Sequence, residues 1–108
     1  SVASRGLGDV YKRQYSFIAY AGIFIDKTSR TQQIINDLRA IPYVTVAHVT
    51  TGKFNIFCKV RARDTLHAKE IIFNIDDIEG VSRTETMISL EESINDKKRL
   101  MHRIFNEL

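Results

Sequence analysis

Hydrophobic side chains recur along this chain with two periods, that of a β-strand and that of an α-helix, and segments of the two kinds alternate. Residues 16–26 are apolar on both faces, which is typical of a central strand that is covered on both sides. Residues 44–50 and residues 55–62 alternate apolar and polar positions, so each run is predicted to be a half-buried strand. Residues 81–90 are rich in β-preferring side chains and predict a fourth strand.

Two segments between these strands have the spacing of amphipathic helices. The first follows a capping-box sequence at residues 29–32 and stops at Pro42. The second is capped by Asp64 or Thr65 and ends at Gly80, where a left-handed residue is usual. The predicted buried stripes are Ile34, Ile35, Leu38 and Ile41 in the first helix and Ala68, Ile71, Ile72, Ile75 and Ile78 in the second.

The order of these elements is strand–helix–strand, repeated once. Two such units joined by a hairpin predict an α+β fold, the ferredoxin-like βαββαβ sandwich, in which two helices cover one face of a four-stranded antiparallel sheet. Right-handed crossovers place the first and third strands in the centre of the sheet. Residues 93–108 return to helical spacing and predict an additional C-terminal amphipathic helix, which contacts its own subunit or a neighbouring one.

The second face of such a sheet is left bare by the two helices. A bare apolar sheet face predicts that the chain forms a homodimer. The residues expected at this dimer interface are Ile18, Phe24, Phe57 and Ile88.

The hairpin between the second and third strands is the first candidate for a ligand site. The run Thr51-Gly52-Lys53 lies between two alternating segments and predicts a turn in which Gly52 adopts a positive φ. Gly22, in the middle of the first strand, predicts either a bulge or a close backbone approach.

The net charge of the chain is +3, but the N-terminal segment contributes much of it. Residues 9–14 (DVYKRQ) are encoded by GAT-GTG-TAT-AAG-AGA-CAG, which resembles a transposon end used as a sequencing adapter. We therefore interpret residues 1–14 as a non-native, disordered segment, with a disordered natural linker as the alternative, and expect the natural protein to continue upstream of Tyr15. The remaining residues carry 13 basic and 12 acidic side chains, which removes the main support for general nucleic-acid binding.

The chemistry-bearing side chains form no catalytic or metal-binding pattern. His48, His67 and His102 fall on a strand, a helix and the tail, with a spacing that matches no metal motif. Asp76 and Asp77 diverge by about 100° on a helix, so they are not an acid–base pair. The sequence also has no nucleophile elbow, P-loop or dinucleotide fingerprint. We therefore predict a non-enzymatic chain without a cofactor or a metal.

The single cysteine, Cys58, lies on a strand pattern and has no partner within the chain. It is predicted to be a small buried residue, and this cysteine usage fits a reducing, cytoplasmic location. No apolar run is long enough to cross a bilayer and no secretory signal pattern is present, so no membrane partner is expected.

Residues 15–92 resemble the C-terminal effector domain, or RAM domain, of Lrp/AsnC-family transcriptional regulators. The family's fold is the βαββαβ sandwich predicted above from the pattern of the elements. The segments that carry the resemblance, in the same order and spacing, are residues 21–25 (AGIFI), 38–44 (LRAIPYV), 48–55 (HVTTGKFN) and 78–86 (IEGVSRTET).

The resemblance implies an effector-binding and oligomerisation domain. A small effector, usually an amino acid, would bind in a cleft between dimers, and the dimers would associate further, commonly into octamers. DNA would be contacted only through an N-terminal helix-turn-helix that these residues do not include.

The family's hairpin glycine motif helps to form the effector cleft. Many members have an aspartate where this chain has Asn55, and an amide cannot give a full counter-charge to an α-ammonium group. Three threonine hydroxyls on adjoining segments are added as candidates to donate hydrogen bonds to the carboxylate of the effector. The expected effector-binding residues are Thr51, Gly52, Lys53, Phe54, Asn55, Thr84 and Thr86.

Two alternatives share the predicted topology. One is an ACT-like regulatory module of a metabolic enzyme, which would be accompanied by a catalytic domain. The other is a small dimeric enzyme of the monooxygenase or isomerase type, which requires a roomy polar pocket between the sheet and its helices.

Overall fold

The computed structural model describes residues 2–108, which form a four-stranded antiparallel sheet and four α-helices. The strands are ordered β2-β3-β1-β4 across the sheet, so the first and third strands are central, as predicted. This arrangement confirms the ferredoxin-like fold. The elements are α1 (Val2–Gln14), β1 (Phe17–Ile25), α2 (Thr31–Arg39), β2 (Val44–Val49), β3 (Ile56–Ala62), α3 (Thr65–Asp76), β4 (Val81–Ile88) and α4 (Lys97–Glu107).

The hydrophobic core lies between the sheet and the helices α2 and α3. Both predicted helical stripes face it, with some members fully buried and the others packed at its edge. Burial of these aliphatic side chains is the main favourable contribution to folding. The largest fully buried side chains are Ile23, Ile34, Leu38, Ile56, Ile71, Ile75, Val60 and Cys58.

The two core helices begin differently from each other. The Asp64 side chain caps α3 by accepting a hydrogen bond from the His67 N–H at 2.8 Å, as predicted. The predicted capping box of α2 is wrong, because a 3₁₀ turn over Thr28–Arg30 precedes this helix and Arg30 stands at its N-cap without a side-chain bond. Gly80 has a φ of +97°, which confirms its left-handed conformation.

An irregularity in β4 reverses the face on which its side chains lie. Phe24 pairs with Arg83 and the next residue, Ile25, pairs with Val81, so one residue of β4 is extra. Strict alternation from Val81 would have placed Ile88 on the bare face, whereas the bulge places Ile88 on the helix-covered face, opposite a buried alanine of β1. The prediction that Ile88 lies on the bare face is therefore wrong.

The terminal segments also differ from expectation. Residue 1 of the segment expected to be disordered lies outside the described residues, and residues 2–14 form the helix α1. This helix meets the domain where Tyr11 contacts the ring of Tyr15 and the guanidinium of Arg61. The C-terminal helix begins at residue 97 rather than 93, because Asp96 caps it by accepting a hydrogen bond from the Arg99 N–H at 3.2 Å.

The buried position of Cys58 predicts low thiol reactivity. Burial raises the pKa of this thiol from 9.0 to about 11. At pH 8 the thiolate fraction is then about 100-fold lower than for an exposed cysteine of ordinary pKa. A colorimetric disulfide reagent should react with the denatured chain at once and with the native chain only as it unfolds; rapid labelling of the native chain would contradict the burial.

Candidate functional site

The hairpin loop, residues 50–55, joins β2 to β3 and is closed at its base by hydrogen bonds. The Thr50 N–H donates to the Asn55 carbonyl oxygen at 3.0 Å. The Thr50 hydroxyl donates to the Phe54 carbonyl oxygen at 2.8 Å. The tip of the loop is exposed, and Gly52 has a φ of +96°, as the turn prediction requires. The loop therefore has an ordered base and a solvent-facing tip.

Asn55 joins the hairpin loop to the central strand β1. Its backbone N–H donates to the Ile23 carbonyl oxygen at 3.0 Å. Its side-chain Oδ1 accepts a hydrogen bond from the Ile25 N–H, also at 3.0 Å. The pairing of β1 with β3 ends at Ile23, so the Asn55 side chain satisfies the Ile25 N–H where β3 no longer can. With one lone pair of Oδ1 engaged by the Ile25 N–H, Asn55 can offer a ligand its Nδ2 donor and the second lone pair of Oδ1.

Phe54 lies over the open face, which is the sheet face that α2 and α3 do not cover. Its ring rests on Gly22: a Cβ there would lie 2.7 Å from the ring Cγ and closer still to two other ring atoms. The edge contact with Phe24 has a centroid distance of 5.3 Å, and Phe57 stacks on Tyr20 at 5.7 Å. Gly22 is closely approached, but by the side-chain ring of Phe54 rather than by a backbone segment.

Charged side chains border this aromatic cluster. The Lys53 ammonium lies 3.3 Å from one carboxylate oxygen of Glu85, and the Arg83 guanidinium lies 3.4 Å from the other. Arg83 also stacks on Phe24, with 4.1 Å between the guanidinium carbon and the ring centroid. Lys53 remains mostly exposed, so its ion pair with Glu85 contributes little stability. The two contacts nevertheless hold the Glu85 carboxylate between two cations.

The predicted site residues do not all converge within one chain. Thr84 and Thr86 pair with β1 residues of the helix-covered face, which is the face opposite the Phe54 ring. The Thr84 hydroxyl donates to Asp76 Oδ1 at 3.4 Å. Within one subunit, these two hydroxyls therefore do not join the exposed Thr51 at the loop tip.

Three of the predicted interface residues lie on the open face. Phe24 and Phe57 are partly exposed there and belong to the aromatic cluster. Ile18 is on the same face but is already 8 % exposed in the single chain, which leaves little surface for a partner. Met87, on the open face beside Tyr20, is 48 % exposed and takes the place expected for Ile88.

Residues 2–108 contain no cluster of three or more histidine, cysteine, aspartate or glutamate side chains suited to a metal ion. His67 is buried, and its Nδ1 accepts a hydrogen bond from the Arg63 N–H at 3.0 Å. None of the helices in this part of the chain is both long enough and apolar enough to cross a membrane.

Sequence patterns predict only part of the contacts made by the hairpin loop. A glycine inside a strand signals a close neighbour, but it does not say that the neighbour is Phe54. The Asn55 bond to Ile25 and the Lys53 bridge to Glu85 join residues 30 and 32 positions apart, and no local pattern marks them.

The family model described as the Lrp/AsnC ligand binding domain matches residues 18–98, which is most of the chain and includes all of the sheet except Phe17. The chain belongs to the Lrp/AsnC family. Among curated relatives, the regulatory protein AsnC of Escherichia coli K12 is 30% identical to it over 89 residues. That alignment covers 80% of this chain and 59% of AsnC, so this Lrp/AsnC-family chain spans less than two thirds of its relative's length.

Solved structures share the fold of this chain. The structure of E. coli AsnC has a TM-score of 0.76 at 22% identity, covering 89% of this chain and 72% of that one. A feast or famine regulatory protein of M. tuberculosis, solved in complex with L-methionine, has a TM-score of 0.70 at 18% identity, covering 89% and 69%. At these identities the structures bear on the fold of this Lrp/AsnC-family chain alone.

The contact of Phe54 with Gly22 predicts the effect of a single methyl group. Gly22→Ala should lower the free energy of unfolding by roughly 1–3 kcal/mol, because the new Cβ overlaps the ring. The same change in a Phe54→Ala background should be neutral or slightly stabilising, since the overlap is gone and a strand glycine has been replaced. Urea unfolding of the four chains measures the cycle, and equal costs in both backgrounds would show that the ring does not rest on Gly22.

Proposed function

We propose that this chain is the effector-binding and oligomerisation domain of an Lrp/AsnC-type transcriptional regulator, and that it is not catalytic. A small effector of the amino-acid class would bind at a subunit junction beside the hairpin loop. DNA would be contacted by a helix-turn-helix, a module that is not found among residues 2–108. The family match and the L-methionine complex of a protein with the same fold support the proposal.

The observation that carries this proposal is the construction of the hairpin loop. Asn55 and Phe54 hold its base against β1, while its tip at residues 51–53 is exposed. A loop that is rigid at its base and polar at its tip loses little conformational entropy when it contacts a ligand or a second subunit. Such a loop is suited to forming one wall of a site between subunits.

The hydrogen-bonding groups at this loop indicate which part of an effector it contacts. Asn55 Nδ2, the Thr51 hydroxyl and the Lys53 ammonium are donors. The nearby carboxylate of Glu85 is already held by two cations. We therefore expect the hairpin loop to bind the carboxylate of the effector rather than its ammonium group.

Homodimers would form through the open face, and the family resemblance extends this to higher assemblies, commonly octamers. The partly exposed aromatic side chains of the open face, with Met87, form an apolar patch bordered by charges. An effector can alter DNA occupancy only if it binds one assembly state more tightly than another. A site between subunits meets that requirement, because it is complete in only one of the states.

The enzyme alternative needs a roomy polar pocket between the sheet and its helices. In residues 2–108 the centre of the space between these layers is filled by fully buried aliphatic side chains, among them Ile23, Leu38 and Ile71, and the groove beside α3 has a mainly apolar lining. The ACT-like alternative shares the topology, but the sequence match is to the Lrp/AsnC domain.

A panel of amino acids should contain a member that changes the solution mass of the 108-residue chain. We expect a dimer or a larger assembly without ligand and a shift in mass with one amino acid, measured by light scattering after size exclusion. A monomer whose mass does not respond to any of them would contradict both the open-face dimer and the junction site.

A matched pair at Gly52 provides the control for that measurement. Gly52→Val is strained at φ +96° although no atom lies within 4 Å of its new Cβ, whereas asparagine tolerates this conformation. The valine variant should lose the effector response, and Gly52→Asn should retain it. If the valine variant still responds fully, the conformation of the loop tip does not govern binding.

Asn55→Asp should weaken the binding of the effector by about tenfold or more, because aspartate keeps the bond to the Ile25 N–H but replaces the Nδ2 donor with a carboxylate oxygen that repels the carboxylate of the effector. The des-amino carboxylic acid of the same side chain should lose a similar factor. Isothermal titration with both ligands measures the two losses. A gain in affinity for the amino acid alone would show that its ammonium group, and not its carboxylate, lies beside residue 55.

A further inference from the structure

The C-terminal helix α4 presents an apolar stripe that the rest of the described chain does not cover. Its large apolar side chains recur at helical spacing, and each of them is between 51 % and 98 % exposed. Charged and polar side chains occupy the opposite side of the helix. The stripe consists of Leu100, Met101, Ile104, Phe105 and Leu108.

Local interactions are not enough to stabilise this helix. It has 11 residues, and isolated helices shorter than about 12–15 residues are marginal in water. The Asp96 cap and the ion pair of Arg103 with Glu107 at 3.1 Å each contribute only modestly. A helix of this length is normally stabilised by packing its apolar face against another surface.

A groove of the matching character lies between α3 and β4. It has a volume of about 210 Å³, below the roughly 300–1,000 Å³ typical of sites for drug-sized ligands. Its lining is apolar except for the side chains of two threonines and a lysine. Phe73 and Ile88 line it and are 57 % and 51 % exposed, respectively. The groove therefore fits inserted side chains better than it fits a small molecule.

The two surfaces have complementary charge. The helix α4 carries Lys97, Lys98, Arg99 and Arg103 against a single glutamate. The residues from 64 to 79, which include α3, carry five carboxylates against one lysine; Glu79 among them pairs with Arg30 at 3.1 Å, and the lysine, Lys69, lines the groove, so four carboxylates remain against it. Opposite charge around an apolar contact favours this pairing and disfavours a contact between two copies of α4.

The open face is a poorer receptor for the same helix. Lys59, Arg61 and Arg83 all lie on it, while Glu85 and Glu92 already pair with basic side chains. A strongly basic helix would meet like charge there.

The path of the chain carries α4 away from the groove of its own subunit. After β4 the Ser89 N–H donates to the Ile18 carbonyl oxygen at 2.9 Å, and Glu92 then reaches Lys59 of β3, at 3.9 Å, on the open face. The connecting segment thus crosses the face opposite the helices, and α4 begins beside Lys59 and Arg61. The groove lies on the helix-covered side.

We propose that α4 docks, through its apolar stripe, in the α3/β4 groove of a second copy of this chain. The family model ends at residue 98, so the stripe lies beyond the part of the chain that the family defines. This contact is separate from the hairpin loop, so an experiment can disprove the docking of α4 while effector binding at the loop is still observed.

Two matched pairs of charge substitutions test the docking by sedimentation velocity over a dilution series. Phe105→Asp in α4 and Phe73→Asp in the groove should each weaken self-association by at least about tenfold, since each removes one large apolar side chain from the contact. Asn106→Asp and Asn74→Asp add the same charge at exposed neighbouring positions and should leave self-association within about twofold. Circular dichroism confirms that each variant is folded.

Cysteine trapping identifies the two surfaces directly. A Phe73→Cys chain and an Ile104→Cys chain, mixed and oxidised, should give a disulfide-linked dimer that contains one of each, in higher yield than either chain alone. The native Cys58 is buried and should not compete. The control mixture of Asn74→Cys with Asn106→Cys should give little product.

Several results would overturn the proposal. If Phe105→Asp weakens association but Phe73→Asp does not, α4 docks elsewhere. If neither does, α4 makes no contact that contributes to assembly. If a chain carrying both Phe73→Cys and Ile104→Cys closes an internal disulfide at high dilution, the helix folds back on its own subunit.

Discussion

The hydrogen bond from the Ile25 N–H to the Asn55 side chain decides where the hairpin loop lies relative to the sheet. It satisfies a backbone donor of the central strand beyond the last residue that β3 can pair, and an unsatisfied donor there would cost roughly 1–3 kcal/mol. The Phe54 ring, resting on Gly22, holds the same loop from the open-face side. With both contacts in place the base of the loop is rigid, and its exposed tip can act as one wall of a site between subunits.

The two faces of the sheet are chemically different, and a single extra residue in β4 determines part of that difference. The bulge next to Val81 turns Thr84, Thr86 and Ile88 toward the helices and Arg83, Glu85 and Met87 toward the open face. The open face thereby acquires its charged border, and the α3/β4 groove acquires Ile88 as part of its lining. The proposed open-face dimer and the proposed helix-docking groove therefore both depend on this irregularity.

The same geometry separates the two proposed functions in space. The hairpin loop and the aromatic cluster lie on the open face, whereas the groove lies on the helix-covered face and α4 extends from the far end of the connecting segment. The proposed effector binding at the loop and the proposed association through α4 would then be independent contacts of one small domain. A regulator whose subunits are joined by separate contacts has more than one assembly state for an effector to select between.

Periodicity and turn chemistry alone determined the order of the elements, the central strands, the buried stripes such as Ile34 with Leu38, and the left-handed glycines at 52 and 80. These features are local or follow from topology rules, so a single sequence contains the information. Only the tertiary structure decided that Phe54 is the neighbour of Gly22, that Asn55 bonds to Ile25, and that Ile88 faces the helices. Each of these depends on the register between strands that are distant in sequence, and one bulged residue is enough to reverse every side chain beyond it.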